Sequence, residues 1–132
     1  MYDEKNKKHS FEDVKAWQLA REFRKNIYSI TKNFPRDELY CLTSQIRRAA
    51  ISVHSNIAEG YGRFNFQENI QFCRVARGSL NEVLDQLYTA LDEKYIDEII
   101  FNNIYIKGRN VEAAINGYII FLKDQQNKYR NK

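Results

Sequence analysis

The apolar residues of this chain recur every three or four positions, and this period constrains the fold more than any other feature. The first series runs Phe11, Val14, Trp17, Ala20, Phe23, Ile27, Ile30 and Phe34. Such spacing places apolar side chains on one face of an amphipathic helix. The 132 residues include one proline and five glycines, too few for the frequent turns of an all-β chain. We therefore predict one all-α domain.

Capping residues and helix breakers divide this pattern into four helices. Residues suited to helix N-caps precede the four segments: Ser10, Asp37, Asn65 and Asp97. Pro35 ends the first helix, because the residue before a proline avoids the helical region. Gly60 and Gly62 are expected to end the second helix in the left-handed conformation. Gly78, inside the third, is expected to permit close helix approach.

Four helices with short connections predict an up-down-up-down four-helix bundle over residues 10–125. The polar, charged segments on either side predict a flexible N-terminal tail at 1–9 and a basic C-terminal tail at 126–132. No apolar run approaches the ~18–20 residues of a membrane span, and no signal peptide opens the chain. We expect a soluble, cytoplasmic protein that does not contact membranes.

The residues show no pattern typical of an enzyme, a metal site or a cofactor site. Ser52 and His54 are two positions apart, so on a helix they point to different faces and do not form a nucleophile–base pair. His54 is predicted to be exposed or at an interface. Cys41 and Cys73 lack the paired spacing of metal ligands and are predicted to be buried thiols. We expect a non-enzyme without cofactor or metal.

Charge is unevenly distributed along the chain, whose net charge is +4. Residues 43–80 hold five arginines and two glutamates, whereas residues 81–122 hold three basic and seven acidic side chains. The arginines are Arg47, Arg48, Arg63, Arg74 and Arg77. They are candidates for binding RNA phosphates, and Tyr61 and Phe64, which flank Arg63, for stacking on unpaired bases. The alternative is that acidic residues such as Glu82 take these arginines in salt bridges between subunits.

Two further features predict structural roles. Asn56 and Glu59 lie one turn apart near the end of the second helix, where they are expected to hold the following loop. A carboxylate near a helix C-terminus opposes the helix dipole, so Glu59 needs a cation from Arg47, Arg48 or Arg63. Aromatic residues form 14% of the chain. Many fall outside the main apolar stripes, which predicts a surface buried against another copy, so that the protein is a homo-oligomer.

Residues 10–122 resemble the four-helix bundle family of the 23S rRNA intervening-sequence proteins. Three pieces carry the resemblance: Phe34-Pro35 with Glu38 and Leu42; Gln45-Ile46-Arg47-Arg48-Ala49-Ala50; and Ser55-Asn56-Ile57-Ala58-Glu59-Gly60 followed by Arg63. Val14, Trp17, Ala20 and Ile27-Tyr28 fit the first helix of the family, and Phe72, Ala76, Gly78-Ser79-Leu80 and Glu82 fit the third. His54 stands where the family pattern has a proline or a small residue.

The resemblance implies a small bacterial protein of a family whose members are often encoded within sequences that interrupt large-subunit rRNA genes. Similar accessory proteins of diversity-generating retroelements form pentameric barrels and bind a reverse transcriptase and nucleic acid. The resemblance thus implies a homopentamer that binds RNA or another nucleic acid with low sequence specificity, and a reverse transcriptase if the gene lies in a retroelement. The alternative function is a homo-oligomeric protein–protein scaffold without nucleic acid.

Overall fold

The computed structural model describes residues 10–131, so the predicted N-terminal tail at 1–9 lies outside the described residues. The described part contains four α-helices and no strand. The helices are α1 (Lys15–Thr31), α2 (Leu42–Tyr61), α3 (Phe66–Asp92) and α4 (Glu98–Arg130). Short 3-10 turns at Phe11–Asp13 and Arg36–Glu38 precede α1 and α2. The all-α, four-helix prediction is confirmed.

Each helix packs against the next one in the chain, and α4 also packs against α1, which closes a four-sided bundle. The interior is apolar, and all four helices contribute fully buried side chains to it: Phe23, Ile27, Ile46, Ile57, Leu80, Leu87, Val111 and Ile115. These residues keep the three- and four-residue spacing of the sequence. Between residues 10 and 131, no helix is long and apolar enough to cross a membrane.

Three of the four predicted N-caps act as caps. Ser10 Oγ accepts a hydrogen bond from the Glu12 amide at 3.3 Å, although the element that it opens is the 3-10 turn before α1. Asn65 Oδ1 accepts from the Glu68 amide at 3.0 Å and begins α3. Asp97 Oδ1 accepts from the Ile100 amide at 2.8 Å and begins α4. Each satisfies an amide that lacks a partner within the helix.

The prediction that Asp37 caps α2 is wrong. Asp37 lies in the 3-10 turn Arg36–Glu38, and α2 starts at Leu42 after Cys41, which makes no side-chain cap. Phe34 is buried, with its ring 5.5 Å from the ring of Tyr95. This long-range contact pulls the chain inward before α2, so the connection takes more residues than the local pattern indicates.

The last helix is longer than the sequence pattern predicts. α4 continues to Arg130, whereas the basic C-terminal tail is predicted from residue 126. Tyr129 packs against Phe66, with ring centroids 6.4 Å apart, although Phe66 lies at the start of α3. This contact between distant parts of the chain supports the last turns of α4.

The glycines act differently from the predictions. Among residues 10–131, no glycine has a positive φ angle, and Gly62 caps α2 with a φ of −75°. Phe64, with a φ of 52°, adopts the left-handed conformation in the α2–α3 connection. Gly60 instead permits close packing, since a Cβ there would lie 2.7 Å from Asn69 Oδ1 and 2.9 Å from Phe72 Cβ. Gly78, expected to do this, faces open space.

We predict opposite effects of alanine at these two glycines. Gly60→Ala is expected to lower the free energy of unfolding by about 1–2 kcal/mol, because the clash with α3 outweighs the gain in helix propensity. Gly78→Ala is the matched control and is expected to raise it by up to about 1 kcal/mol. Urea denaturation measures both values. Equal stability of the two variants would contradict the close α2–α3 contact.

Candidate functional site

Four arginines lie along the side of the bundle where α1 packs against α2. We call them the α1–α2 arginine surface: Arg21, Arg24, Arg47 and Arg48. The guanidinium of Arg21 lies 5.7 Å from the centre of the Trp17 ring. Those of Arg24 and Arg47, which come from different helices, lie 5.5 and 4.7 Å from the centre of the Tyr28 ring. Aromatic rings therefore hold three of the four charges in place.

Arg47 is also held by a hydrogen bond between the two helices. Its Nε donates to Thr31 Oγ1 at 2.8 Å, and the Thr31 hydroxyl donates to the Ile27 carbonyl, also at 2.8 Å. Thr31 is buried and Arg47 is half-buried. Within residues 10–131 no hydrogen bond engages the two terminal nitrogens of Arg47. These nitrogens can donate to an anion without breaking a contact inside the bundle.

The α1–α2 arginine surface is not neutralised by direct ion pairs. Over residues 10–131, the ion pairs join Lys25 to Glu22, Arg63 to Glu59 and Arg109 to Glu112. None of them includes an arginine of this surface. Four positive charges on one side of a small bundle attract phosphate groups, and guanidinium forms strong charge-assisted hydrogen bonds with them.

His54 belongs to the same side of the bundle. Its ring lies edge-on to Trp17, with centroids 6.4 Å apart, and its Nε2 accepts a hydrogen bond from Arg24 Nε at 3.4 Å. Burial, and next the charges of Arg24 and Arg21, lower the pKa of His54 from 6.5. The neutral imidazole is thus a half-buried acceptor for Arg24 and not the exposed residue of one sequence prediction, whereas the other, a place at an interface, stays a prediction.

The other predicted RNA-binding arginines lie elsewhere. Arg63, in the α2–α3 connection, forms an ion pair with Glu59 at 2.7 Å and lies over the Phe72 ring at 5.0 Å. Arg77, on α3, donates to Asn116 Oδ1 of α4 at 2.8 Å. Arg74 donates to its neighbour Gln71 at 3.4 Å and is exposed. Of the five predicted arginines, the structure brings only Arg47 and Arg48 to the α1–α2 side.

Sequence reasoning missed Arg21 and Arg24. Each is four residues from an aromatic residue on the same helix, Arg21 after Trp17 and Arg24 before Tyr28. Residues at this spacing are neighbours on a helix surface. This spacing therefore predicts that Arg21 and Arg24 lie over aromatic rings of their own helix. It does not predict that Arg47, from α2, also lies over the ring of Tyr28.

The predicted structural residues make contacts inside the subunit. Asn56 Nδ2 donates to the carbonyl and hydroxyl oxygens of Ser52 at 2.8 and 2.9 Å. The Ser52 hydroxyl lies 2.8 Å from the Ser79 hydroxyl, so Asn56 supports the α2–α3 contact rather than the loop. Glu59 receives its cation from Arg63, one of the three candidates. Exposed Glu82 accepts from Gln86 at 3.4 Å.

Ser52 and His54 face different neighbours, as predicted. Ser52 contacts α3 through Ser79, whereas His54 contacts α1 through Trp17 and Arg24. Of the two cysteines predicted to be buried, Cys73 is buried, which raises the pKa of its thiol to about 11, but Cys41 is exposed. No group of three or more His, Cys, Asp or Glu residues suited to a metal ion occurs within residues 10–131.

Several large apolar side chains of α4 point away from the core of the bundle. We call Ile99, Ile106 and Ile120 the α4 outer stripe, since they lie seven and fourteen residues apart on the helix. Their exposed fractions are 74%, 60% and 61%. Phe64, in the α2–α3 connection, is fully exposed, whereas Tyr61 is half-buried. The stripe thus leaves three large apolar side chains of α4 in contact with water in the single chain.

Comparisons with known proteins give a consistent family relationship. The family model described as "23S rRNA-intervening sequence protein" matches residues 12–117. A solved structure of a protein of unknown function from the S23 ribosomal protein family of Bacteroides thetaiotaomicron is similar, with a TM-score of 0.73 and 19% sequence identity. The alignment covers 79% of this chain and 97% of that chain, which supports the fold. No curated protein matches this chain.

The lowered pKa of His54 predicts a pH-dependent stability. The unfolded state takes up a proton on His54 as the pH falls through about 6.5, whereas the folded state resists it. The free energy of unfolding is therefore expected to decrease below this pH. His54→Gln keeps a neutral acceptor without this titration, so we expect a smaller decrease. Urea denaturation at about pH 7.5 and pH 5 gives the free energy of unfolding of the wild type and of His54→Gln. An equal decrease in the two proteins would contradict the burial of a neutral His54.

Proposed function

Because the chain belongs to the 23S rRNA-intervening sequence protein family, we propose that it is a non-catalytic, homo-oligomeric accessory protein of the cytoplasm that binds RNA. The observation that carries the RNA-binding part is the α1–α2 arginine surface. Its four guanidinium groups lie on one side of the bundle, and no ion pair within residues 10–131 engages them. Stacking on Trp17 and Tyr28 holds three of them without cancelling their charge.

This surface binds the RNA backbone rather than a base sequence. Guanidinium groups donate to phosphate oxygens, which are the same at every nucleotide, so the contacts carry little sequence information. Each neutralised phosphate releases counterions, which makes the affinity fall steeply with salt concentration. Arg47 is fixed before binding by Thr31 and Tyr28, and therefore loses less side-chain freedom when it meets a phosphate.

The homo-oligomeric part of the proposal rests on the α4 outer stripe. Ile99, Ile106 and Ile120 expose more than half of their surface along one helix face, and another copy of the chain would remove them from water. The family relationship favours five copies. A ring repeats the α1–α2 arginine surface in each subunit, so one RNA strand that contacts several subunits binds more tightly than a single surface allows.

A protein–protein scaffold without nucleic acid is the second candidate function. The α4 outer stripe and the exposed ring of Phe64 favour it, because both are apolar and suit a protein partner better than phosphates. It differs from the first proposal in one testable property. A scaffold assembles but does not bind RNA, even at low salt.

We predict a particle of about five times the 15.7 kDa monomer mass in light scattering of the purified protein. Ile106→Lys places a charge in the α4 outer stripe and is expected to reduce the particle mass. Asn102→Lys adds the same charge one turn earlier on the exposed part of α4, but removes no apolar side chain, and is expected to assemble. A wild-type mass of 15.7 kDa would rule out the homo-oligomer.

We also predict that charge reversal on the α1–α2 arginine surface weakens RNA binding more than charge reversal on α3 does. Arg21→Glu/Arg48→Glu is expected to weaken binding to single-stranded RNA at least tenfold and to flatten its dependence on salt between about 50 and 200 mM. Arg74→Glu/Arg77→Glu carries the same change of charge on α3 and is expected to weaken binding less. Fluorescence anisotropy measures both, after light scattering has confirmed assembly.

Wild-type affinity in the Arg21→Glu/Arg48→Glu variant would contradict RNA binding by this surface. A greater loss in Arg74→Glu/Arg77→Glu would favour the surface on α3 that the sequence predicts. No RNA binding by the wild type, even at the lowest salt concentration, would favour the scaffold.

A further inference from the structure

A groove continues the α1–α2 arginine surface toward the start of α2. We call it the Tyr40 groove. It is a shallow, open depression of about 420 Å³ rather than an enclosed cavity. Leu39 and Ile51 form an apolar part of its wall, and the rings of Tyr28 and Tyr40 border it. The groove thus offers apolar and aromatic surface directly beside the arginines.

Tyr40 has an unusual position for a large aromatic residue. It is 89% exposed, and over residues 10–131 its ring makes no stacking or cation–π contact. The ring of Tyr28, in contrast, is covered by the guanidinium groups of Arg24 and Arg47. Of the two tyrosines in the groove, Tyr40 therefore has the ring face that remains available to a ligand.

The polar atoms of the Tyr40 groove suit a nucleotide. Arg47 and Arg48 line it and supply guanidinium groups for a phosphate, and the half-buried Ser44 adds a hydroxyl that both donates and accepts hydrogen bonds. An aromatic ring, apolar walls and cationic groups together match a nucleobase with its phosphate. None of the ion pairs described above places a carboxylate on Arg47 or Arg48.

We propose that the Tyr40 groove binds an unpaired nucleobase by stacking on Tyr40, so that the RNA held by the α1–α2 arginine surface is single-stranded. This inference rests on the proposed RNA-binding function. A base inside a duplex is stacked on both faces and does not offer a face to Tyr40, whereas a base in a loop or a single strand does. Stacking accepts any base, which agrees with the low sequence specificity of phosphate contacts.

A two-fold contact of this groove with itself fits less well than RNA does, and the particle mass of Tyr40→Ala tests the different face that a ring neighbour would present. An interface that pairs the groove with itself across a two-fold axis would bring Arg47 and Arg48 of both copies together, and like charges at an interface are unfavourable. A nucleic acid brings the opposite charge together with flat rings. The charge of the groove therefore favours a polyanion as its occupant.

The test compares single-stranded RNA with a duplex of the same length in anisotropy titrations. Tyr40→Ala is expected to weaken single-strand binding about five- to one-hundred-fold and to leave duplex binding unchanged. Tyr40→Phe keeps the ring and is expected to retain the wild-type affinity. Tyr129→Ala is the control for the loss of an exposed tyrosine outside the groove, and because Tyr129 also contacts Phe66, circular dichroism first confirms that the variant keeps its helix content.

Three results would overturn this inference. The first is a Tyr40→Ala variant with wild-type single-strand affinity, and the second is an equal loss of single-strand and duplex affinity. The third is a reduced particle mass for Tyr40→Ala, which would make the groove a contact between copies. If Arg21→Glu/Arg48→Glu weakens both RNAs while Tyr40→Ala weakens neither, the base site is wrong and the proposed RNA-binding function stands. If the arginine variant weakens neither RNA, RNA binding by the α1–α2 arginine surface is wrong, and the base site with it.

Discussion

The candidate site depends on the stacking of two guanidinium groups on the ring of Tyr28. Arg24 comes from the same helix as Tyr28, whereas Arg47 reaches it from α2 and also binds the buried Thr31 hydroxyl. The ring thus contacts a positively charged side chain from each of the two helices. Because the attraction of a cation to an aromatic face does not need a counter-charge, two arginines share one ring without a carboxylate. The position of the groove beside Tyr40 follows from this contact, since Tyr28 and Arg47 also line the groove.

The parts of the fold that depend on local chemistry are the parts that the sequence predicts. Ser10, Asn65 and Asp97 act as caps because each binds an amide only two or three residues away. Asp37 fails as a cap because the burial of Phe34 against Tyr95, sixty-one residues later in the chain, sets the path into α2. The roles of Gly60 and Gly78 depend equally on which helix lies opposite. Spacing along one helix contains no information about that partner.

The site is less predictable than the fold, for a related reason. Arg47 and Arg48 stand out in the sequence because they are adjacent, but Arg63, Arg74 and Arg77 stand out equally. The structure separates them by their partners, since Arg63 lies on Phe72 with Glu59, whereas Arg77 reaches Asn116 across the α3–α4 contact. Arginines that are close in the sequence of a helical bundle therefore do not all lie on one surface, because successive residues turn by about 100° around the helix.

The choice of partner decides whether an arginine remains available to an anion. A carboxylate such as Glu59 holds the guanidinium of Arg63 by opposing its charge, and the same charge lowers the positive potential that a phosphate would meet. An aromatic ring holds a guanidinium by its quadrupole and leaves the net charge in place. His54 is a second uncharged partner of this kind, since burial favours its neutral form beside Arg24. It accepts a hydrogen bond from Arg24 and adds neither an opposite nor a like charge. Arg21, Arg24 and Arg47 are thus ordered by groups that do not neutralise them, which is the condition that a preformed phosphate surface requires.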